Sequence, residues 1–327
     1  DVNEEWISDK TRYACDGLTR QRLDQPYAKV DGKLQPVSWQ DAFDAIGSGL
    51  RGIDGSKIAA ITGDLCDLES MTALKDLMSA LGSANTDCRQ DGTKLSAGMR
   101  SGYLFNTTIT GIDDADACLI IGSNPRLEAP IINARLRKRM VAGAFTVGLV
   151  GEAVDLTYGY QHLGAGPQTL SEIAAGTHSF SDVLKNAERP MLIVGQGALT
   201  RTDGAAVLAA ARAIADTTGM VLGDWNGFNV LHTAASRVGG LDIGFVPGNG
   251  GKDVAAILEG AASGDVEAVY LLGADEIDTS QLTNAFVVYQ GHHGDKGAHV
   301  ADVILPGAAY TEKEGTYVNT EGRVQRG

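Results

Sequence analysis

One pattern recurs along this chain and limits what it can fold into. A short apolar run, too continuous to leave one face in water, is closed each time by a glycine. Residues 57–62 (KIAAIT) end at Gly63, 117–121 (ACLII) at Gly122-Ser123-Asn124-Pro125, and 145–150 at Gly151. Residues 191–194 (MLIV) end at Gly195-Gln196-Gly197, 269–272 (VYLL) at Gly273-Ala274-Asp275, and 286–289 (FVVY) at Gln290-Gly291. The run 303–305 ends at Pro306-Gly307; Pro306 has no N–H to donate and stops its ladder. Helical patterns lie between the runs. Leu74, Leu77, Met78 and Leu81 share one face, 203–216 is Ala-rich, and Pro130 opens the basic stretch 130–141, where its missing N–H costs little. Strand, glycine turn and helix repeated this often mean parallel sheets covered by helices on both faces, a doubly wound α/β class. Single cores seldom exceed about 250–300 residues, so 327 residues point to two such units.

The opening 36 residues look different. They are polar and are expected to form an irregular lead-in. Ser38 then reads as an N-cap with Asp41 in the first turn, and Trp39, Ala42, Phe43, Ile46 and Leu50 recur at helical spacing. Trp39 is expected in the core.

A net charge of −14 repels nucleic acid and anionic membrane surfaces, so neither is expected as a direct partner. No apolar run approaches the roughly 20 residues of a spanning helix. Cys15, Cys66, Cys88 and Cys118 form no C-x-x-C pair, which excludes zinc-ribbon and common iron–sulfur spacings and disfavours disulfides. The chain opens on Asp1 without a Met and reads as a piece of something longer.

Ligands of α/β sheets gather at the carboxyl ends of strands. The turns at Gly122, Asn124, Gly195, Gly273, Asp275 and Gly291 are therefore the candidate pocket residues. The polar run after Pro306 holds Glu312, Glu314, Asn319 and Glu321, and from it Glu314 and Asn319 join the candidates. None of these strand-end turns carries a G-x-G-x-x-G, so NADH is not expected to bind here, and glycines at such turns also serve plain chain reversal. His292 and His293 have no zinc-spaced partner and read as a surface loop; no G-x-S-x-G elbow exists. No catalytic and no metal-ligating residue is assigned. The basic run 135–139 reads as a solvated helix face, or else as a contact for an acidic neighbour.

The closing stretch 299–325, HVADVILPGAAYTEKEGTYVNTEGRVQ, resembles the large iron–sulfur subunit of the proton-pumping NADH–quinone oxidoreductase, respiratory complex I. The opening DVNEEWISDKTRYACDGLTRQRL, then Gln25-Pro26-Tyr27 and Val37-Ser38-Trp39, resemble it too. The C-terminal region of that large subunit is related to molybdopterin oxidoreductases such as formate dehydrogenase. The resemblance implies formate dehydrogenase/DMSO reductase-like α/β domains, one inserted in the other: an outer domain of 1–84 plus 225–327 and an inserted domain of 85–224.

Active molybdopterin enzymes carry a Cys, Ser or selenocysteine ligand shortly after an Asn-x-Asp motif. Here Cys88 follows Asn85-Thr86-Asp87 directly, and Asp91, Gly92, Thr93 and Lys94 stand at the ligand position. Their Asp-Pro-Arg strand end is replaced by Gly151-Glu152. The resemblance thus implies a part of complex I without its own molybdopterin, iron–sulfur clusters in a region upstream, and other peripheral-arm subunits as partners. It implies a place on the cytoplasmic or matrix side, reaching the membrane only through other subunits. The alternative is a piece of a working molybdopterin enzyme such as formate dehydrogenase.

Overall fold

The architecture is that of a computed structural model, which describes residues 4–327; Asp1, Val2 and Asn3 of the lead-in lie outside the described residues. The chain forms two compact units. One comprises Ala14–Gly92, Ala234–Asn319 and Val324–Gly327. The other comprises Thr93–Thr233 and Thr320–Arg323, with the described residues up to Tyr13. The sequence-based divisions fall at 84/85 and 224/225; the Asn85–Asp87 strand pairs with Ile58–Thr62, and Phe228–Val230 with Pro190–Val194.

The first unit holds a seven-stranded sheet in the order 33–36, 27–30, 303–306, 286–291, 268–272, 58–62, 85–87. The last five are mutually parallel. Alternate residues of one strand feed opposite cores: Val287 and Tyr289 pack with Val269, Leu271, Ile61 and Ile304, while Val288 packs with Ala28, Ala42, Val303 and Leu305. A strand buried on both faces cannot alternate with polar residues, which is why these runs are apolar throughout.

The lead-in is not irregular up to Pro36. Tyr27–Val30 and Lys33–Pro36 form an antiparallel hairpin that extends the sheet beside Val303–Pro306. Its turn is Asp31-Gly32, with φ of 50° and 76°, the doubly positive φ pattern that suits the twist of a hairpin. Asp-Gly between alternating residues was the available signal.

Ser38 caps the Trp39–Gly49 helix, its Oγ accepting the Asp41 N–H at 3.1 Å. Trp39 is not in the core. It is 46% exposed and Phe43 51%, their rings 5.7 Å apart; the face that packs inward carries Ala42, Ala45 and Ile46.

The second unit holds a five-stranded parallel sheet in the order 228–230, 190–194, 117–121, 146–150, 161–164. Cys118, Ile120, Val147, Leu149, Met191 and Ile193 pack on one face with Ile132 and Leu136 of the Pro130–Val141 helix. The basic run of that helix is in part a solvated face, with Arg137 and Lys138 exposed, and in part paired within the unit. Arg135 pairs with Asp113 at 2.5 Å and Lys138 with Glu4 at 2.8 Å. Arg139 donates to the Ala115 and Gly143 carbonyls, and Arg137 to that of Thr157.

Candidate functional site

Each unit has a cavity at the carboxyl ends of its strands. In the first unit, a cavity of about 340 Å³ is lined by Asp64, Gln90, Gly273, Asp275, Glu276, Tyr289, Gly291, His292, His293, Asp295 and Lys313 among others. A Cβ on Gly63 would come within 1.8 Å of the Gly273 carbonyl oxygen, so the strand ends meet only because Gly63 lacks a side chain, and Gly273 turns at φ +57°, a conformation that favours glycine. Four carboxylates, Asp64, Asp275, Glu276 and Asp295, line the cavity against one lysine, Lys313, and two histidines. Burial pushes Asp64, Asp275 and Glu276 above the ordinary carboxylate range, and Asp295 adds to the effect on Asp275. A lining of this sign opposes a pyrophosphate-bearing ligand.

His292 and His293 do not belong to a free surface loop. Their rings meet edge-on at 4.5 Å, and both line the cavity. His293 Nε2 lies 2.7 Å from the Gly17 carbonyl. Burial, then the neighbouring His293, holds His292 below the usual histidine range.

The second unit's cavity, about 420 Å³, is lined by Gly122, Ser123, Asn124, Glu128, Gly151, Glu152, Gly197, Arg201 and Asp203 among others. Gly122, at φ +56°, sits where a Cβ would meet Ala198 Cβ at 2.5 Å. Of the eight candidates read from the sequence, Gly122 and Asn124 fall in this cavity and Gly273, Asp275 and Gly291 in the other. Gly195 lines neither; its missing Cβ admits Ser123 and the Gly122 carbonyl, both within 2.6 Å of where a Cβ would stand. Glu314 and Asn319 also line neither, and Glu314 pairs with Arg326.

The Asn-x-Asp motif has structural work. Asn85 donates to the Ser56 and Ile58 carbonyls and accepts the Lys252 N–H. Asp87 receives Arg89 at 2.7 Å and the Val254 N–H at 3.1 Å, anchoring the start of the Val254–Ser263 helix.

The residues that follow do not fit a soft metal. Cys88 is fully buried against Gly240, where a Cβ would lie 2.8 Å from its sulfur. Burial pushes its thiol up to about 12, as it does for Cys66, whereas a metal takes the thiolate. Asp91 instead meets Arg237, whose guanidinium is 3.1 Å from Asp91 and 3.8 Å from Asp64. Arg237 is 1% exposed and is among the largest fully buried side chains. Sequence reasoning missed it because nothing near residue 237 marks a site; its partners lie about 150 positions earlier in the chain. Among the described residues no three His, Cys, Asp or Glu side chains converge as a metal would require.

A doubly wound α/β chain with clefts at its strand ends, built on a nested pair of such sheets, is the architecture of the molybdopterin oxidoreductases. The chain belongs to that family: the Molybdopterin oxidoreductase profile matches residues 22–327. A second profile, that of the NADH-ubiquinone oxidoreductase NDSU1/NuoG-like 4Fe-4S domain, matches residues 1–16.

Its relatives narrow the kinship to the large iron–sulfur subunit that the sequence resembles. The mitochondrial NADH dehydrogenase [ubiquinone] iron-sulfur protein 1 of Solanum tuberosum is 49% identical over 99% of this chain and 43% of its own length. The corresponding NADH-quinone oxidoreductase subunit of Rickettsia bellii is 46% identical over 99% of this chain and 46% of its own. The chain thus spans under half the length of these curated relatives. In fold it is similar to a formyltransferase/hydrolase complex of Methylorubrum extorquens (TM-score 0.66, 16% identity, 92% of each chain). Acetylene hydratase of Pelobacter acetylenicus gives a TM-score of 0.64 at 14% identity, over 97% of this chain and 59% of that one. No helix among the described residues is long and apolar enough to cross a membrane.

Proposed function

We propose that this chain is a structural region of the peripheral arm of a proton-pumping NADH–quinone oxidoreductase. It supports a cluster-bearing region upstream and neighbouring subunits, and holds no molybdopterin of its own. In this reading the iron–sulfur clusters belong to the rest of the large subunit. The region works on the cytoplasmic face of a bacterial inner membrane or the matrix side of a mitochondrial one. The outer and inserted α/β domains are kept as a rigid support after the chemistry of the wider family was lost.

The observation that carries the reading is the Asp91–Arg237 pair. At the position where an active relative would present its metal ligand, this chain offers a carboxylate held at 3.1 Å by a buried guanidinium. A cation is already supplied from within, and the nearby thiol is a core side chain.

Two measurements test this. Metal analysis with an ultraviolet spectrum of the purified chain is expected to give no molybdenum and no guanine absorbance; stoichiometric molybdenum would refute the cofactor-free part. Deleting the region from the assembled complex is expected to abolish NADH–quinone activity through failed assembly. Intact assembly and activity after deletion would refute the supporting role.

A further inference from the structure

The cavity of the first unit is short of donors. Gln90 lines it and is 7% exposed. Its Nε2 donates to Glu276 at 3.4 Å, which leaves Oε1 a buried acceptor without a hydrogen-bond partner. Asp64 Oδ1 is a second such atom, and the Arg237 guanidinium stands 3.8 Å from it, beyond hydrogen-bond reach. Lys313 is committed to Asp67, and Asp295 accepts the Lys296 N–H. Asp275 is half-buried and Glu276 exposed, so the acceptors run from a buried end to an open rim. The wall also carries Leu272, Tyr289 and Tyr310. A buried acceptor without a donor is costly, and two of them on one cavity point to a ligand that brings donors.

We infer that this cavity binds a small alkyl diammonium, one ammonium at Asp64 and Gln90 and the other at Asp275 and Glu276. The inference is independent of the supporting role. An ammonium carries three donors and no acceptor, so one such group satisfies Gln90 Oε1 and Asp64 Oδ1 together. A bare metal ion is the poorer match, because among the described residues no three His, Cys, Asp or Glu side chains converge on one point. The cavity, about 340 Å³, is also far larger than an ion needs, a single water taking about 30 Å³. A methylene stem suits the rest of the wall, since Leu272 offers apolar surface and the tyrosine rings attract a cation to their faces. The net charge of −14 draws a dication toward the chain.

The test is isothermal titration of the full chain with putrescine at about 0.15 M salt, which screens general attraction to an acidic surface. Putrescine is expected to bind at least about tenfold more tightly than n-butylamine, which lacks the second ammonium. Gln90→Leu and Asp275→Asn should each weaken putrescine about tenfold, and Glu276→Gln, whose carboxylate is exposed, about threefold. Asp44→Asn, on the exposed face of the Trp39–Gly49 helix, should leave the affinity unchanged. Should Gln90→Leu fail to fold, Asp275→Asn and the rim variant Glu276→Gln decide the matter. No binding by the wild type, equal affinity for n-butylamine, or cavity variants no weaker than Asp44→Asn overturns the site. Displacement of putrescine by magnesium at a lower concentration assigns the cavity to a metal and overturns the ammonium.

Discussion

Replacing Arg237 with methionine removes the cation that faces Asp91 and Asp64 while keeping most of the side-chain volume. Arg237 has 1% of its side chain exposed, against 31% for Asp91 and 30% for Asp64. Removing one partner of a buried pair costs about 3–5 kcal/mol because the other charge is stranded. Here the stranded carboxylates keep some contact with water, which places the loss near the lower end, about 3 kcal/mol. Burial already holds Asp64 above the ordinary carboxylate range despite Arg237. Without the guanidinium that pKa rises further. A carboxylate with a raised folded pKa stabilises the fold below its unfolded value, and loses that contribution as pH rises through the folded value. The variant should therefore suffer more at pH 8 than at pH 5. For a unit of about 170 residues, each kcal/mol shifts the melting temperature by roughly 2–4 °C, giving a fall of roughly 6–12 °C at neutral pH. Calorimetry and urea titration at both pH values measure it. The double variant Asp91→Asn, Arg237→Met should recover part of the loss, since removing both charges strands less than removing one. A single-variant loss below about 1 kcal/mol, or a double variant no better than the single, would refute the buried-pair reasoning.

Two further outcomes are expected. Gly63→Ala drives a methyl into the Gly273 carbonyl and should cost about 3 kcal/mol or more in urea unfolding, whereas Gly47→Ala, with open space around its Cβ, should stabilise the Trp39–Gly49 helix by about 0.5–1 kcal/mol; equal effects would contradict the close-approach account. Arg22, gripping both Glu312 oxygens, and the Ala309 N–H depress the Glu312 pKa from 4.5 to about 2. Its contribution is thus present above 4.5 and lost as pH falls toward 2, so Glu312→Gln should flatten that part of the acid limb, and an unchanged limb in an acid-denaturation series would rule the bridge out.

The runs that alternate with glycine turns were legible because burial on both faces leaves a strand no polar position: residues 117–121 and 303–305 announce themselves. So was the Ser38 cap, since a hydroxyl three residues ahead of a backbone N–H is a local arrangement. Trp39 misled for a related reason. Helical spacing identifies a stripe, but a stripe does not say which part of it faces the sheet, and Ala42 and Ile46 took that place. The basic run 135–139 was legible only in part: Arg137 and Lys138 are exposed as a solvated face implies, while Glu4, which pairs with Lys138 from more than 130 positions away, left no local signal. Glu128 went unremarked because its spacing from Asn124 suggests only a helical pair, and only the turn's geometry aims it at the donors.

What the sequence determined by itself is local and periodic: which runs are buried, where the chain turns, where a helix starts, and through its motifs, which family it resembles. Those follow from side-chain burial and backbone freedom over a few residues. Tertiary structure alone decided the chemistry of the two cavities. Asp91 reads as a replacement at a ligand position until Arg237 is seen beside it, and the Gly122–Asn124 turn reads as an open pocket rim until Glu128 is seen accepting from Ser123 and Asn124. Electrostatic partners act through distance in space, and chain separation carries no record of that distance.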